Sequence, residues 1–412
     1  MPQPTIDLQV SAASPCPPTM LTRPLTLLFA AAIGVMVINL FAAQPLTGPI
    51  ADALALPPAW RGLVPMVPQL GYALGLVLVV PLADRFENRR LVMTTLLLCA
   101  GMLALAAAAR SGPMFLLSAG AAGAASCAIQ MLVPLAASMA PEAQRGRAVG
   151  NVMSGLMVGV LLSRPMASLL AGAGGWRVCY AALSAMDLAL VVVLLRWLPR
   201  QQPGAGHTYA RLIGSMWHLL RDQPVLRRHA LTAGLTMGAF SAFWTAVGLR
   251  LVQAPFSLDS RGLALFALAG ASGAVVAPLA GRAGDRGHTS SGTLVSHVVI
   301  LAALALAWIG GMNGSGLSRP MALAALVVAA ALIDAGVTAD QTLGRREINL
   351  LDPAARGRLN GLFVGIFFVG GALGALAGGL GWAAAQWQGA CAAGTGFVIA
   401  ALLVHGGYAR RG

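Results

Sequence analysis

Long apolar runs, separated by short stretches rich in Arg, Pro and Gly, follow one another along the chain from residue 25 onward. About 20 apolar residues are the length that an α-helix needs to cross the hydrocarbon core of a bilayer. A helix also satisfies its own backbone hydrogen bonds, which lipid cannot do. The pattern therefore predicts twelve spans, numbered here in chain order: 25–50, 62–82, 91–109, 113–139, 148–172, 177–198, 229–251, 262–281, 292–311, 320–344, 358–383 and 389–407.

The composition agrees with a protein that lies in lipid. Hydrophobic residues make up 58% of the 412 residues and charged residues only 10%, whereas about 25% of a soluble domain is charged. Disorder and most soluble folds are excluded for the chain as a whole. Residues 1–22 are the exception, because they hold five Pro and little apolar periodicity, and we expect a disordered tail there. A secretory signal is the alternative for the first apolar run, but the run is longer than a signal core, so we count it as span 1.

The positive charge indicates how the spans are oriented. The formal net charge is +14, and all 27 basic residues are Arg. Twenty of them fall at the termini and in the loops after even-numbered spans, six in the opposite loops, and Arg164 lies within a span. Positively charged loops stay in the cytoplasm, so both termini are predicted to be cytoplasmic, and this bias accounts for the charge without nucleic-acid binding. Six of the eight Trp lie at span ends, as an interfacial aromatic belt requires: Trp60, Trp176, Trp197, Trp308, Trp382 and Trp387.

The chain repeats itself. The segment at 145–159 aligns with 356–370 at an offset of 211 with six identities, and the same offset carries Trp176 onto Trp387. This repeat predicts an all-α membrane protein with twelve transmembrane helices in two pseudo-symmetric six-helix bundles, 23–198 and 229–412, after the tail 1–22. The polar linker 199–228 ends in a basic, aromatic stretch that is either a helix on the anionic leaflet or a solvated connection.

Two loops resemble a known signature. PLADRFENRR at 81–90 follows span 2, and PLAGRAGDRGH at 278–288 follows span 8. The pair is similar to the signature loop of the major facilitator superfamily. The charges of these loops predict a gate that latches the cytoplasmic face when the outer side is open, with ordinary positive-inside residues as the alternative. The matching residues are Asp84, Arg85, Arg89, Arg90, Gly281, Asp285 and Arg286.

Further segments narrow the resemblance to one branch. NLFAAQP (39–45), QLGYALG (69–75), GAFSAFW (238–244) and RLNGLFVGIFFVGGALG (358–374) are similar to bacterial drug/proton antiporters and small-solute efflux proteins. The sequence departs from that branch at Gln130, where the usual Arg and Gly are missing, and at Arg164-Pro165, which replaces Gly-Pro. The resemblance implies that spans 1, 4, 7 and 10 surround a central cavity, that spans 2 and 11 and spans 5 and 8 pair across the halves, and that glycine seams let the bundles rock. The seams are Gly71-Gly75, Gly155-Gly159 and Gly370-Gly374-Gly378.

Three charges lie near the middle of spans, namely Arg164, Asp187 and Asp334. Each costs roughly 2.5–3.5 kcal/mol on insertion scales, so each needs a partner or water. Asp334 begins a polar stripe on one face of span 10 that continues through Thr338, Gln341 and Arg345. We expect Asp334 to couple transport to an ion or substrate, with a hydrogen-bonded neutral Asp as the alternative. Arg164 either faces the cavity, as a counter-charge to Asp334 or to an anionic substrate, or pairs with Asp187 inside the first bundle.

Aromatic and neutral polar side chains complete the predicted pathway. Thr236, Phe240 and Phe243 share one face of span 7, with Trp244 beside them, and suit planar or amphiphilic solutes. Packing is the alternative for all of them. The neutral polar candidates, which otherwise bond across helices, are Asn39, Gln44, Gln69, Tyr72 and Gln130.

These features predict a secondary transporter of a bacterial inner membrane that works by alternating access and exports a small organic solute or drug in exchange for protons. An uncoupled facilitator or importer would share all of them, and a membrane-embedded enzyme is a more distant alternative. The chain has no phosphate-binding Gly-Lys loop, because it has no Lys, and its Cys are scattered without a CxxC pair. We therefore expect no cofactor, no metal and no catalytic residues. The expected partners are the solute, protons and the lipid bilayer, and the expected state is a monomer.

Overall fold

The computed structural model describes residues 22–141, 144–199, 209–352 and 355–409, without the side chains of Asp84, Tyr408 and Ala409. Nearly all of the predicted tail and the first part of the linker lie outside these ranges. Within them every regular element is helical. The helices of the first half are α1 (Arg23–Phe41), α2 (Thr47–Ala53), α3 (Leu63–Leu78), α4 (Asn88–Ala107), α5 (Gly112–Ala125), α6 (Ile129–Ser138) and α7 (Arg145–Trp197). The linker and second half hold α8 (Tyr209–Asp222), α9 (Pro224–Leu251), α10 (Ser260–Ala267), α11 (Ser272–Asp285), α12 (Thr289–Gly311), α13 (Arg319–Leu351) and α14 (Arg356–Ala409).

Two of these helices are too long for one crossing. Helix α7 has 53 residues and α14 has 54, whereas roughly 20 residues span a bilayer. Each is interrupted by non-helical backbone, α7 at Gly174 and Gly175 and α14 at Ala385 and Gln386. Each therefore supplies two spans. Ten helical stretches of the described ranges are long and apolar enough to cross a membrane, and the two double ones bring the crossings to twelve, which confirms the predicted fold class.

The two halves are built alike, as the repeat predicts. Arg145 opens α7 and Arg356 opens α14, and the break at Gly174 in α7 recurs at Ala385 in α14. Both pairs differ by the offset of 211 found in the sequence. The two helices thus occupy equivalent places in two pseudo-symmetric bundles.

One predicted span is shorter than expected. The apolar pattern predicts that span 1 continues to Ile50, but α1 ends at Phe41, and residues 42–46 form turns before the short helix α2. The backbone N–H of Gln44 bonds to the Phe41 carbonyl oxygen at 3.1 Å in these turns. The change of direction points the Gln44 side chain into the buried interior, where it is 1% exposed.

The glycine seams lie inside the bundles, and the expectation that they allow rocking between the bundles is wrong. A Cβ added to Gly155 or Gly159 would collide with the backbone of α1, at Ala30 and Gly34. Added to Gly370 or Gly374, it would collide with the backbone of α9. The seam at Gly71 and Gly75 likewise faces α5. Small residues let helix backbones touch, and here that contact stiffens each bundle.

The bundles meet along two helix pairs, α3 with α14 and α7 with α10, which are spans 2 and 11 and spans 5 and 8, as the resemblance implies. We call the face where α1 begins and α14 ends the termini side, and the opposite face the far side. Contacts on the far side are close: a Cβ on Gly62 would lie 3.0 Å from the Leu376 backbone, and one on Gly172 would lie 2.7 Å from the Ser260 Cβ. Nearer the termini side, a Cβ on Gly150 or Gly365 would meet no atom within 4 Å.

The basic, aromatic stretch of the linker forms α8, which packs on the termini side. Leu212 and Met216, four residues apart, are buried, whereas Trp217 is exposed. The Tyr209 hydroxyl donates a hydrogen bond to the carbonyl oxygen of Leu78 at 2.8 Å, and α8 also contacts α9 and α14. An apolar stripe at helical spacing thus anchors this part of the linker to the ends of both bundles.

Candidate functional site

Arg164 and Asp334 face each other where the two bundles meet. Arg164 lies in the first limb of α7 and Asp334 near the middle of α13. The nearest guanidinium nitrogen, Nη1, is 4.0 Å from Asp334 Oδ1. The two residues are 1% and 5% exposed. Since the charges come from different bundles, their attraction acts across the junction and changes whenever the bundles move apart.

Each charge also holds a neutral partner. Gln44 accepts a hydrogen bond through Oε1 from Arg164 Nε at 2.8 Å. The indole of Trp244, on α9, donates from Nε1 to Asp334 Oδ2 at 3.0 Å. The site therefore has a pair from the first bundle, Gln44 and Arg164, and a pair from the second, Trp244 and Asp334.

Aromatic rings enclose the guanidinium. Its Cζ lies 4.0 Å from the ring centre of Trp244, 4.8 Å from that of Phe240 and 5.6 Å from that of Phe41. A cation over such a face gains about 0.5–2 kcal/mol, more as water is excluded. The three rings take the place of water around the Arg164 guanidinium, whose hydrogen-bond donors are only partly paired.

Two donors at the site lack partners among the described residues. They are Arg164 Nη2 and Gln44 Nε2, both buried. A buried donor without an acceptor costs about 1–3 kcal/mol, and more when it is charged. Such groups are ordinarily satisfied by water or a ligand. The arrangement can therefore bind an acceptor oxygen or nitrogen of a solute.

The other pathway residues spread along the bundle junction. The Tyr72 hydroxyl accepts a hydrogen bond from Gln130 Nε2 at 3.2 Å, and the Tyr72 ring packs on Phe368 of α14 at 4.6 Å between ring centres. Gln69 accepts a hydrogen bond from Ser241 of α9 at 3.2 Å, which joins the two bundles directly.

The stripe on α13 runs from the buried Asp334 toward the termini side. Thr338, Gln341 and Arg345 are half-buried, and the Thr338 hydroxyl lies against Gly273 of α11. The stripe is therefore less deeply buried toward the termini side than at Asp334.

Asn39, Asp187 and Phe243, which the sequence offered as pathway residues or as partners of Arg164, lie outside the Arg164–Asp334 cluster. Asn39 donates a hydrogen bond to Asp187 Oδ2 at 3.0 Å, and Cys99 lies beside both inside the first bundle. This geometry places Arg164 opposite Asp334 and leaves Asp187 with Asn39. Phe243 lies behind Trp244, between it and Trp387.

The predicted gate residues make contacts within their own bundles. Arg89 donates to the carbonyl oxygen of Leu195, at the end of α7, and Arg90 pairs with Glu87 at 3.2 Å. Asp285 pairs with Arg346 of α13 at 2.9 Å. Arg85 and Arg286 are exposed, nothing lies within 4 Å of a Cβ added to Gly281, and the side chain of Asp84 is outside the described part of the chain.

Sequence reasoning missed a second cluster of ionisable residues, which lies inside the C-terminal bundle. Asp340 lies six residues after Asp334 on α13, and its Oδ1 is 3.3 Å from Nε2 of His297 on α12. Both residues are ionisable groups in apolar spans, which was the available signal. Their partnership depends on how α12 packs on α13, and the sequence of either helix alone does not reveal it.

The comparison with protein families decides the relationship. Residues 25–344 match the family model of the Major Facilitator Superfamily. The chain belongs to this superfamily. It is 34% identical over 384 residues to the uncharacterized transporter YgaY of Escherichia coli O157:H7, covering 93% of this chain and 95% of that protein.

Solved structures of other superfamily members share the fold. A bacterial homolog of the human lysosomal transporter Spinster, in an inward-facing and unoccupied conformation, superposes with a TM-score of 0.70 at 16% identity, over 92% of this chain and 95% of that one. The nucleoside transporter NupG superposes with a TM-score of 0.69 at 16% identity, over 93% and 98%. This protein is thus a multi-span membrane transporter of the Major Facilitator Superfamily, and it carries a small solute.

Proposed function

We propose that the protein exports a small organic solute in exchange for protons by alternating access. The observation that carries this proposal is the Arg164–Asp334 pair, whose members come from different bundles and are buried 4.0 Å apart. A charge pair across the moving junction can respond both to the conformation and to a bound ion or solute.

Proton coupling follows from the loose geometry of the pair. At 4.0 Å, Asp334 attracts Arg164 without an aligned hydrogen bond between them. While Asp334 is deprotonated, this attraction holds the guanidinium beside Gln44, where Arg164 Nη2 and Gln44 Nε2 can donate to an acceptor atom of the solute. Protonation of Asp334 removes the attraction, so the guanidinium moves and the solute is released. Proton and solute then compete, as exchange requires.

The solute class follows from the groups around the pair. Arg164 Nη2 and Gln44 Nε2 are donors without partners among the described residues. Phe41, Phe240 and Trp244 add flat apolar surface beside them. A planar or amphiphilic solute that carries an acceptor oxygen or nitrogen suits this combination.

The orientation follows from the Arg distribution. With 20 of 27 Arg at the termini and in the loops on the same side, the termini side is cytoplasmic in a bacterial inner membrane. The far side, where α3 meets α14 and α7 meets α10, is then the closed outer face. In this conformation Arg89 and Asp285 bond within their own bundles, which supports a cytoplasmic latch that engages only in the opposite state.

The test uses purified protein in liposomes with an imposed pH gradient and a panel of sugars, nucleosides and antibiotics. The parent is expected to accumulate one class of solute against its gradient. Asp334→Asn is expected to lose this accumulation, because an amide cannot take up a proton, and to exchange labelled solute at a rate that no longer depends on pH. Asp187→Asn, a buried aspartate outside the site, is the matched control and should remain coupled.

Three outcomes would contradict the proposal. Flux that ignores the pH gradient in the parent favours a facilitator or importer. Gradient-driven accumulation that survives in Asp334→Asn removes Asp334 from the coupling step. Product formation without net solute movement would point to the membrane-embedded enzyme instead.

A further inference from the structure

A second buried cluster of ionisable groups lies in the C-terminal bundle. His297 and Asp340 are 0% and 1% exposed, and His297 Nε2 lies 3.3 Å from Asp340 Oδ1. The other carboxylate oxygen, Oδ2, accepts a hydrogen bond from the Thr236 hydroxyl at 3.0 Å. These three residues come from three helices, α12, α13 and α9.

The cluster has unsatisfied polar atoms. Both ring nitrogens of His297 and Oδ1 of Asp340 lack an aligned hydrogen-bond partner among the described residues. A bundle selected only for rigidity would lose stability by leaving three such atoms buried. The groups of the cluster do not form an arrangement that could hold a metal ion, a statement that covers the residues the structure describes. A proton is the ligand that a buried imidazole and carboxylate can share.

Further histidines extend from this pair toward the termini side. The His405 ring, near the end of α14, is perpendicular to the His297 ring with centres 5.8 Å apart. Arg228, near the beginning of α9, lies with Nη2 3.3 Å from His405 Nδ1. His229 lies beside Gly344 of α13 and interacts electrostatically with Asp340, Glu347 and His405. The ionisable groups therefore form a series from the membrane end inward to Asp340.

The charge balance explains why the pair would exchange one proton. With one proton, His297 and Asp340 are together neutral, whether the proton lies on the ring or on the carboxyl group. Without it a single negative charge is left in the bundle, and with two there is a net positive charge near Arg228. Buried net charge is costly, so the neutral pair is favoured, and histidine is the side chain that releases a proton near neutral pH.

The cluster is linked to the Arg164 site by two helices. Helix α9 donates to α13 twice, from Thr236 to Asp340 and from Trp244 to Asp334. The acceptors are six residues apart, or about 9 Å along a helix. A change in the charge of Asp340 alters the first of these hydrogen bonds, and hence the packing of α9 on α13 that carries the second.

We propose that His297 and Asp340 form a proton-binding site inside the C-terminal bundle, reached from the termini side past His405 and His229, and that its occupancy is transmitted to Trp244 through α9 and α13. This site is separate from Asp334. The inference does not depend on the proposed function, since it concerns proton binding by the protein alone and its test needs no solute.

The test is a pH titration of the full chain, labelled with ¹⁵N-histidine and reconstituted in lipid nanodiscs, followed by NMR between about pH 5 and pH 8. The His297 ring is expected to titrate reversibly in this window. Asp340→Asn removes the negative partner of the ring proton and should lower the midpoint by about one pH unit or more. Asp187→Asn, a buried aspartate of the other bundle, should leave it unchanged.

A second variant acts in the opposite direction and covers the case in which Asp340→Asn does not fold. Thr236→Val removes the hydrogen bond that favours the ionised carboxylate of Asp340. The negatively charged form of the His297–Asp340 pair is then less stable, so the pair should bind its shared proton at a higher pH and the midpoint measured at the His297 ring should rise. Emission from Trp244, identified by its loss in Trp244→Phe, should change with pH at the His297 midpoint. A His297 ring that keeps one protonation state throughout, or a midpoint that neither variant moves, overturns the site, and pH-independent Trp244 emission overturns the transmission.

Discussion

At the scale of single residues, two buried arginines show how burial alone fails to identify a functional charge. Arg250 donates to the carbonyl oxygens of Gly311 and Ala254, each at 2.7 Å, and to Asn313 Oδ1 at 2.6 Å. Arg164 has one aligned hydrogen bond and a buried nitrogen without a partner among the described residues. Arg250 therefore fastens the far-side loops, whereas Arg164 has donor capacity left for a ligand.

This contrast predicts different effects for the same substitution. Arg250→Met loses three hydrogen bonds from a charged group, each worth about 1.5–3 kcal/mol, and should lower the melting temperature of the purified protein. Arg164→Met should lower the melting temperature less than Arg250→Met, because it loses one aligned hydrogen bond, methionine fits among the rings, and Asp334 can take up a proton when its counter-charge is removed; it should lose solute transport. Thermal melting and liposome flux measure the two effects. A large loss of stability in Arg164→Met with normal flux per folded protein would reverse the assignment.

At the scale of elements, glycine spacing determines which helices fuse into a rigid unit. Gly159 of α7 meets Gly34 of α1, and Gly370 of α14 meets Gly234 of α9. These contacts are equivalent in the two bundles, because α7 and α14 are related by the repeat. A backbone-to-backbone approach at equivalent places makes each half move as one body.

The glycine contacts predict a strong dependence on position along a single helix. Gly374→Ala on α14 would collide with the Gly238 backbone, and overpacking typically costs about 1–3 kcal/mol, occasionally more. Gly365→Ala, on the same helix, meets no atom within 4 Å of its Cβ and is the matched control. Folded yield and melting temperature should fall for the first variant and stay near parental for the second. Equal tolerance of both would show that α9 and α14 separate easily.

At the scale of the whole molecule, two stiff bundles touch closely on one face and hold the charge pair between them. The far-side contacts, Gly62 with Leu376 and Gly172 with Ser260, connect different bundles. Alternating access requires these contacts to break. The far face should therefore behave as a seam that opens once per transport cycle.

A disulfide across this seam should stop transport. A Cβ on Gly172 lies 2.7 Å from the Ser260 Cβ, and the usual disulfide separation of about 3.8 Å needs only a small adjustment. Gly172→Cys combined with Ser260→Cys should cross-link under oxidation, lose solute flux, and regain it on reduction. Each single variant is the control, because the described native cysteines, Cys99, Cys127, Cys179 and Cys391, are free and buried. Full flux in the cross-linked protein would contradict rocking at this face.

Much of the fold and part of the site followed from local properties of the chain. Span length, the offset of 211 and the charge bias need no tertiary information, since lipid solvates every apolar run alike and a duplicated gene keeps its spacing. The cost of burying a charge likewise singled out Arg164 and Asp334. These signals determined the twelve helices, the two halves and which charges needed partners.

Only the tertiary structure decided which residues are the partners of the buried charges. Arg164 lies opposite Asp334, and Asp187 bonds to Asn39, because the packing of α1, α7 and α13 sets distances that no spacing along one helix encodes. The glycine seams turned inward for the same reason, and Asp340 met His297 only where α12 packs on α13. The sequence of a helix shows which of its side chains must be buried. Which side chain of another helix contacts a buried residue depends on how the helices pack in space.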